Sequence, residues 1–290
     1  MNLVMRLDPM DDAIKSGEVG KPPSGVQVIA VTSGKGGVGK TNVVANLALS
    51  LARIGRRVLV LDADLGLGNL DVLLGLIPKY TLEHVLTGQK RLKDILLPGP
   101  SGIRILPASS GVADLTALSR DQQILVRDAL DDLGEEVDVL LIDTAAGISS
   151  NVLFFAAAAQ EILVVASPEP TSMTDAYALM KVLSGRYSER RFRLLVNMVK
   201  SQRDGLEVFR KIGAVADRFL NVSIDFVGVI PVDDYVPLAV CQQRAVSDVY
   251  PHAPSTKAFQ RLATAVTGWH RPDAPKGGIE FFWRRLVAQS

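Results

Sequence analysis

One lysine, one threonine and three aspartates carry the chemistry that this sequence could do. The run Gly34-Lys35-Gly36-Gly37-Val38-Gly39-Lys40-Thr41 fits the spacing G-x-x-x-x-G-K-[ST]. Glycines let main-chain N–H groups converge on phosphate oxygens with no Cβ in the way. The stretch Gly36, Gly37, Val38, Gly39, Lys40, Thr41 and Asn42 is therefore the expected phosphate cradle. Lys40 is expected to reach the β- and γ-phosphates of a nucleotide, and Thr41 to offer its hydroxyl to magnesium. Asp62 and Asp64 follow an apolar run two residues apart. At the carboxyl end of a parallel strand, both can aim at one metal–phosphate site if the chain bends after the strand. Asp143 ends a second apolar run. A carboxylate there can hold magnesium, usually through water, opposite the loop threonine.

These side chains need a scaffold that brings strand ends together. Short apolar, β-branched runs read as buried strands at 26–31, 58–61, 103–107, 137–142, 162–166, 192–197 and 226–231. Helices are expected at 42–54, 81–86, 119–133, 171–184, 205–219, 239–245 and 255–266, with Thr81 and Ser119 as N-caps and Gln122 completing a capping box. The alternation predicts an α/β fold, a mostly parallel doubly wound sheet flanked by helices. A helix over 205–219 gathers Val208, Phe209, Ile212, Val215, Ala216 and Phe219 on one core-facing side. Asp175 is expected in the first turn of its helix, where a carboxylate suits the dipole. Asn197 ends its strand with a carboxamide, which has the donor and acceptor to pair with an adenine edge.

The chain has 290 residues, 48% of them hydrophobic, enough for one large domain or two small ones. Its 32 basic and 31 acidic residues leave a net charge of +1, so no global field draws it to nucleic acid, and no direct nucleic-acid partner is expected. Cys241, the single cysteine, allows no disulfide within the chain and reads as buried filler in a reducing compartment. Residues 1–25 are mixed and charged, a flexible arm rather than a secretory leader. No apolar run approaches the roughly 20 residues of a membrane span, so a cytoplasmic protein is expected, at most peripheral on a membrane. The expected organisation is an arm at 1–25, one domain at 26–268, and a linker with an amphipathic helix at 269–290. In that tail Ile279, Phe282, Trp283, Leu286 and Val287 gather on one side at helical spacing, a pattern suited to a membrane interface. So short a helix binds weakly alone and much better as two copies on a dimer.

Lys35 is more than a phosphate loop needs. With Gly36-Gly37-Val38-Gly39-Lys40-Thr41 it resembles the deviant Walker A of the MinD/ParA ATPases, a branch of the P-loop NTPases. That resemblance implies ATP and Mg2+ as cofactors, slow ATP hydrolysis, and an ATP-dependent homodimer in which Lys35 crosses to the partner subunit's nucleotide. Asp62-Ala63-Asp64-Leu65-Gly66-Leu67-Gly68-Asn69-Leu70-Asp71 is similar to the family's switch I. By that match Asp64 positions or activates the attacking water and Asp62 sits near the magnesium shell. Asp143-Thr144-Ala145-Ala146-Gly147 is similar to switch II. The resemblance also places Glu169 near the dimer face, Asn197 on adenine, and Pro231-Val232-Asp233 in a second adenine-contact loop.

Within the family, the chain is similar to the flagellar-number regulators. The carriers are residues 62–69, 143–148, 169–179 and Gly278-Ile279-Glu280-Phe281-Phe282. This likeness implies antagonism of an enhancer-binding flagellar transcriptional activator, work with a signal-recognition-type GTPase, and cycling on the inner membrane. Some members carry an Asp-Gln-Ala motif that stimulates the GTPase; Asp11-Asp12-Ala13 matches it only in part. A MinD-like division-site regulator and a ParA-like DNA segregation ATPase are the alternative readings.

Overall fold

The computed structural model describes residues 25–108, 117–133 and 136–269. The arm with Asp11-Asp12-Ala13, and the tail positions Ile279, Phe282, Trp283, Leu286 and Val287, lie outside the described residues.

Eight strands form one sheet: β1 (Gln27–Ser33), β2 (Val58–Ala63), β3 (Leu97–Pro98), β4 (Arg104–Leu106), β5 (Val139–Ala146), β6 (Glu161–Ala166), β7 (Arg191–Val199) and β8 (Ser223–Pro231). Their order is β3-β4-β2-β5-β1-β6-β7-β8, and among the described residues only β3 is antiparallel to its neighbour. The seven strands expected from apolar runs are all present. The two-residue β3 was not foreseen, since so short an edge pair has no pattern of its own.

The central strands β1, β2 and β5 are largely apolar because both of their faces are covered. Val28, Ala30, Leu59, Leu61, Leu140 and Ile142 point into one core; their alternating neighbours Ile29, Val31, Val58, Val60, Val139 and Leu141 point into the other. Helices α1 (Lys40–Arg53), α2 (Leu70–Leu73), α8 (Tyr235–Cys241), α9 (Val246–Val249) and α10 (Pro254–Thr267) contribute to the second core. Helices α3 (Leu82–Leu86), α4 (Arg120–Asp131), α5 (Ser150–Ala157), α6 (Pro170–Tyr187) and α7 (Gln202–Phe219) contribute to the first. The expected caps are in place. Thr81 and His84 form a capping box, which gives that histidine its role, and Ser119 Oγ accepts from Gln122 N at 3.2 Å.

Several expectations need correction. Helix α5 had no expectation to correct, because it has no polar face to give it periodicity; seven of its eight residues are buried. On α7 only Val208, Ile212 and Ala216 of the expected stripe are buried, while Val215 and Phe219 are 41% and 63% exposed. Asp175 lies in the second turn of α6, not the first, because that helix starts at Pro170. Cys241 is exposed at the end of α8. Trp269 is no linker residue: it is 9% exposed and stacks on the Arg193 guanidinium at 4.0 Å.

Arg193 is itself buried and bonds Glu161 with two nitrogens, at 2.7 and 2.9 Å. Breaking such a pair strands a buried charge. Glu161→Ala is expected to lower stability by about 3 kcal/mol, read as a shifted urea midpoint.

Candidate functional site

The carboxyl ends of β1, β2 and β5 lie side by side in the middle of the sheet. The register pairs Asp62 with Asp143 directly across β2 and β5, and Val31 with Asp143 across β1 and β5. Sheet pairing alone therefore brings the two expected metal-site aspartates together. Both are almost fully buried, at 1% and 2% exposure.

The glycine loop joins β1 to α1. Gly37 and Gly39 both have φ of +81°, where a side chain would strain the backbone. Gly39 caps α1, and Lys40 opens that helix, two residues earlier than expected. Ahead of the cradle, Gly34 packs on the main chain of α6. A Cβ there would lie 2.1 Å from the carbonyl carbon of Asp175, so only glycine fits. Ser33 Oγ donates to Lys35 O at 3.0 Å, and Gly147 N donates to Ser33 O at 2.9 Å, which ties the expected switch II to the root of the loop.

The two loop lysines face different ways. Lys40 is buried and pairs with Asp143 Oδ1 at 2.5 Å. Lys35 is on the outside, paired with the Glu169 carboxylate and donating to Thr171 Oγ1 at 2.9 Å. Both partners of Lys35 belong to the start of α6, more than 130 residues away in sequence, and the Thr171 contact was not foreseen.

The buried carboxylates perturb one another. Burial, then the charge of Asp143, pushes Asp62 up to about 8, against main-chain N–H donors from Leu70 and Asp64. Burial also pushes Asp143 up, opposed by Lys40 and by a hydrogen bond from the Thr41 side chain. Asp62 organises the turn that follows it: its oxygens accept from Asp64 N at 3.1 Å and Leu70 N at 3.2 Å. Asp64, half-buried at the mouth, accepts from Leu67 N at 3.3 Å.

This set fits Mg2+ bound with a nucleotide. Among the described residues no group of three or more His, Cys, Asp or Glu converges that could hold a metal alone. Asp62, Asp143 and Thr41 instead form a partial oxygen shell, the kind magnesium takes when phosphates and water supply the rest. A divalent cation would also relieve the repulsion that raises both carboxylates.

A pH test follows from the raised Asp62 carboxyl. Below about pH 4 the folded and unfolded chains both hold its proton, so the shift has no effect. As pH rises towards about 8 only the unfolded chain ionises, and the fold loses stability over that window. With chelator and no nucleotide, the urea midpoint should fall from about pH 4 to about pH 8 and level off above that. Asp62→Asn should flatten most of that fall.

The expected base-contacting residues are placed less simply. Asn197 is 7% exposed, and its Nδ2 donates to Val38 O at 2.8 Å. The Asp233 carboxylate accepts from Ser255 Oγ, Ser255 N and Tyr235 N at 2.6, 2.9 and 3.0 Å, tying α8 to the start of α10. Burial raises the Asp233 carboxyl, and those donors outweigh it, leaving it below the usual range. Its side chain thus serves the fold, while Pro231 and the 59%-exposed Val232 form the surface of that loop.

Comparison with known proteins agrees with this geometry. An AAA domain model matches residues 26–194. The antiactivator FleN of Pseudomonas aeruginosa is 53% identical over 262 residues, covering 90% of this chain and 94% of that protein. The flagellum site-determining protein YlxH of Helicobacter pylori is 31% identical, covering 89% of each. The MinC:MinD cell division complex of Aquifex aeolicus superposes with a TM-score of 0.69 at 26% identity, over 85% of this chain and 98% of that one. MinD of Pyrococcus horikoshii, solved with Mg-ADP, superposes at 0.65 and 27% identity, over 83% and 96%. With its glycine loop, its second loop lysine and its paired strand-end aspartates, the chain belongs to the MinD/ParA-type P-loop ATPases, in the group that includes FleN.

Proposed function

We propose that this protein is an ATP-dependent dimerising switch that regulates flagellar number or placement by antagonising an enhancer-binding transcriptional activator. The observation that carries the reading is the 53% identity to an antiactivator, FleN, across nine-tenths of the chain.

Bound ATP with Mg2+ supplies the reactive phosphoryl group and neutralises its charge. The chain's own residues do the rest. The main chain from Gly36 to Asn42 holds the phosphates. Lys40 exchanges Asp143 for the β- and γ-phosphate oxygens. Thr41 and Asp143 would hold the metal, with Asp62 near its shell. Asp64 orients the attacking water and takes up its proton. Lys35 leaves Glu169 and Thr171 and reaches the partner subunit's nucleotide, and Glu169 then faces the dimer contact. Asn197 and the loop Pro231-Val232-Asp233 border the base. Hydrolysis opens the dimer and releases the activator.

Among the described residues no helix is long and apolar enough to cross a membrane. Attachment to the inner membrane surface, with Ile279, Phe282, Trp283, Leu286 and Val287 as the contact, stays part of the proposal, as does an encounter with a signal-recognition-type GTPase. A MinD-like division-site role would run the same cycle on another partner. Its support is the likeness to proteins named for septum-site determination, 31% to 37% identical. A ParA-like role on DNA needs a basic surface, for which a net charge of +1 gives no support.

The test is a pull-down of the flagellar activator from the same bacterium, with ATP and with ADP. Retention with ATP and loss with ADP is expected. No retention in either state would overturn the flagellar reading and leave the division-site one.

A further inference from the structure

Asn197 closes on the phosphate loop from behind. Its Nδ2 donates to the Val38 carbonyl at 2.8 Å, and both residues are buried, at 7% and 3% exposure. Gly39 lies against the same carboxamide: a Cβ there would sit 2.5 Å from Nδ2. The next residue, Met198, has φ of +59°, and the pairing of β7 with β8 shifts register between Asn197 and Val199. A non-glycine residue in that region is strained and persists where its surroundings demand it. The bulge sets the Met198 methyl 3.3 Å from the same Gly39 Cβ position. Carboxamide and thioether thus pack together on one peptide, Val38–Gly39.

That peptide has a fixed polarity. No peptide bond among the described residues is cis. In a trans peptide the carbonyl of one residue and the N–H of the next point in opposite directions. Holding Val38 O towards Asn197 therefore aims Gly39 N–H the other way, away from the sheet strand that carries Asn197. A buried carbonyl left without a donor would favour rotation of the whole peptide.

We infer that Asn197 is a positioning residue of the phosphate loop: its amide fixes the Val38–Gly39 peptide so that the Gly39 N–H faces phosphate. This role is separate from any contact with the base, for which Oδ1 and the second amide hydrogen are left. It rests on the reading of the glycine loop as the triphosphate site.

Inorganic tripolyphosphate separates the two roles, because it has phosphates and no base. Binding of Mg-tripolyphosphate and Mg-ATP is measured by calorimetry for the full chain and for Asn197→Ala and Asn197→Leu. Leucine approximates the volume of asparagine without its donor, and thermal melts report whether each variant is folded. Both variants are expected to lose affinity for tripolyphosphate by about three- to tenfold, the worth of one lost hydrogen bond, and for ATP by at least as much. Unchanged tripolyphosphate binding in a folded variant overturns the inference, and weaker ATP binding alongside it would make Asn197 a base reader only. Failure of the unmodified protein to bind either ligand would instead sink the phosphate-site reading beneath it.

Discussion

Asp64→Ala is expected to lower ATP turnover by about 10²–10⁴-fold while leaving nucleotide binding intact, the range a positioned proton acceptor contributes. Asp64 is the residue just past β2, half-buried, beside the Asp62–Asp143 pair. Its main-chain N–H, not its carboxylate, makes the bond to Asp62 Oδ1 at 3.1 Å, so alanine keeps that bond. The carboxylate itself accepts one hydrogen bond in the fold, from Leu67 N at 3.3 Å, long enough to be weak. Little of the turn depends on it, and the side chain is free to work on a water molecule. Lys40 and Asp143 are untouched by the change. The variant should therefore collect as the ATP-bound dimer, seen by light scattering, with phosphate release nearly absent. Normal release from Asp64→Ala would move the catalytic role to another residue. Asp64→Asn separates charge from shape: it keeps the acceptor for Leu67 N, and should be as slow as alanine if the carboxylate takes a proton.

What could be read in the sequence divides along the range of the interactions. The glycine loop, the Asp62-x-Asp64 pair and Asp143 were legible because each follows directly on an apolar strand, and parallel strands in such folds bring their carboxyl ends to one edge. The register that sets Asp62 opposite Asp143 then follows from packing both faces of the sheet. The Lys35 contacts with Glu169 and Thr171, the Asn197 bond to Val38 and the Asp233 cap on Ser255 were not legible. The first two cross more than 130 residues, and side chains that meet so distantly leave no periodicity. The stripe on α7 failed differently. Its spacing was right, but Phe219 and Val215 lie on the helical flank that the sheet does not cover. Gly34 could be recognised as a loop glycine, yet the reason for it is the α6 main chain against its Cα, which the motif alone does not contain.

Lys35→Ala is expected to abolish nucleotide-dependent dimerisation and to cut turnover at least about 100-fold, since a charge delivered in trans to a transferring phosphoryl group is worth about 10³–10⁵ in related hydrolases. Monomeric ATP affinity should change less than about threefold if, as proposed, Lys40 and the loop N–H groups meet the phosphate charge within one chain. The geometry separates the two lysines in this way. Lys40 is 9% exposed and paired inside the site, whereas Lys35 is 36% exposed and held by a Glu169 side chain that is 62% exposed. An ion pair so open to water contributes about 0–1 kcal/mol, so exchanging it for a partner's phosphates has a low barrier in free energy. The competing account makes Lys35 a strut between the loop and α6. A strut predicts that Lys35→Ala weakens ATP binding in the monomer and lowers the melting temperature by more than the roughly 2–4 °C that 1 kcal/mol is worth in a domain of this size. The trans-acting account predicts a melting temperature within that margin, normal monomer binding, and no dimer with a non-hydrolysable analogue. Gly34 already locks loop to helix through main-chain contact, which leaves the lysine little structural work. Recovery of turnover in a mixture of Lys35→Ala with Asp64→Ala would complete the case. In the mixed dimer, one subunit keeps both its own Asp64 and a partner's Lys35.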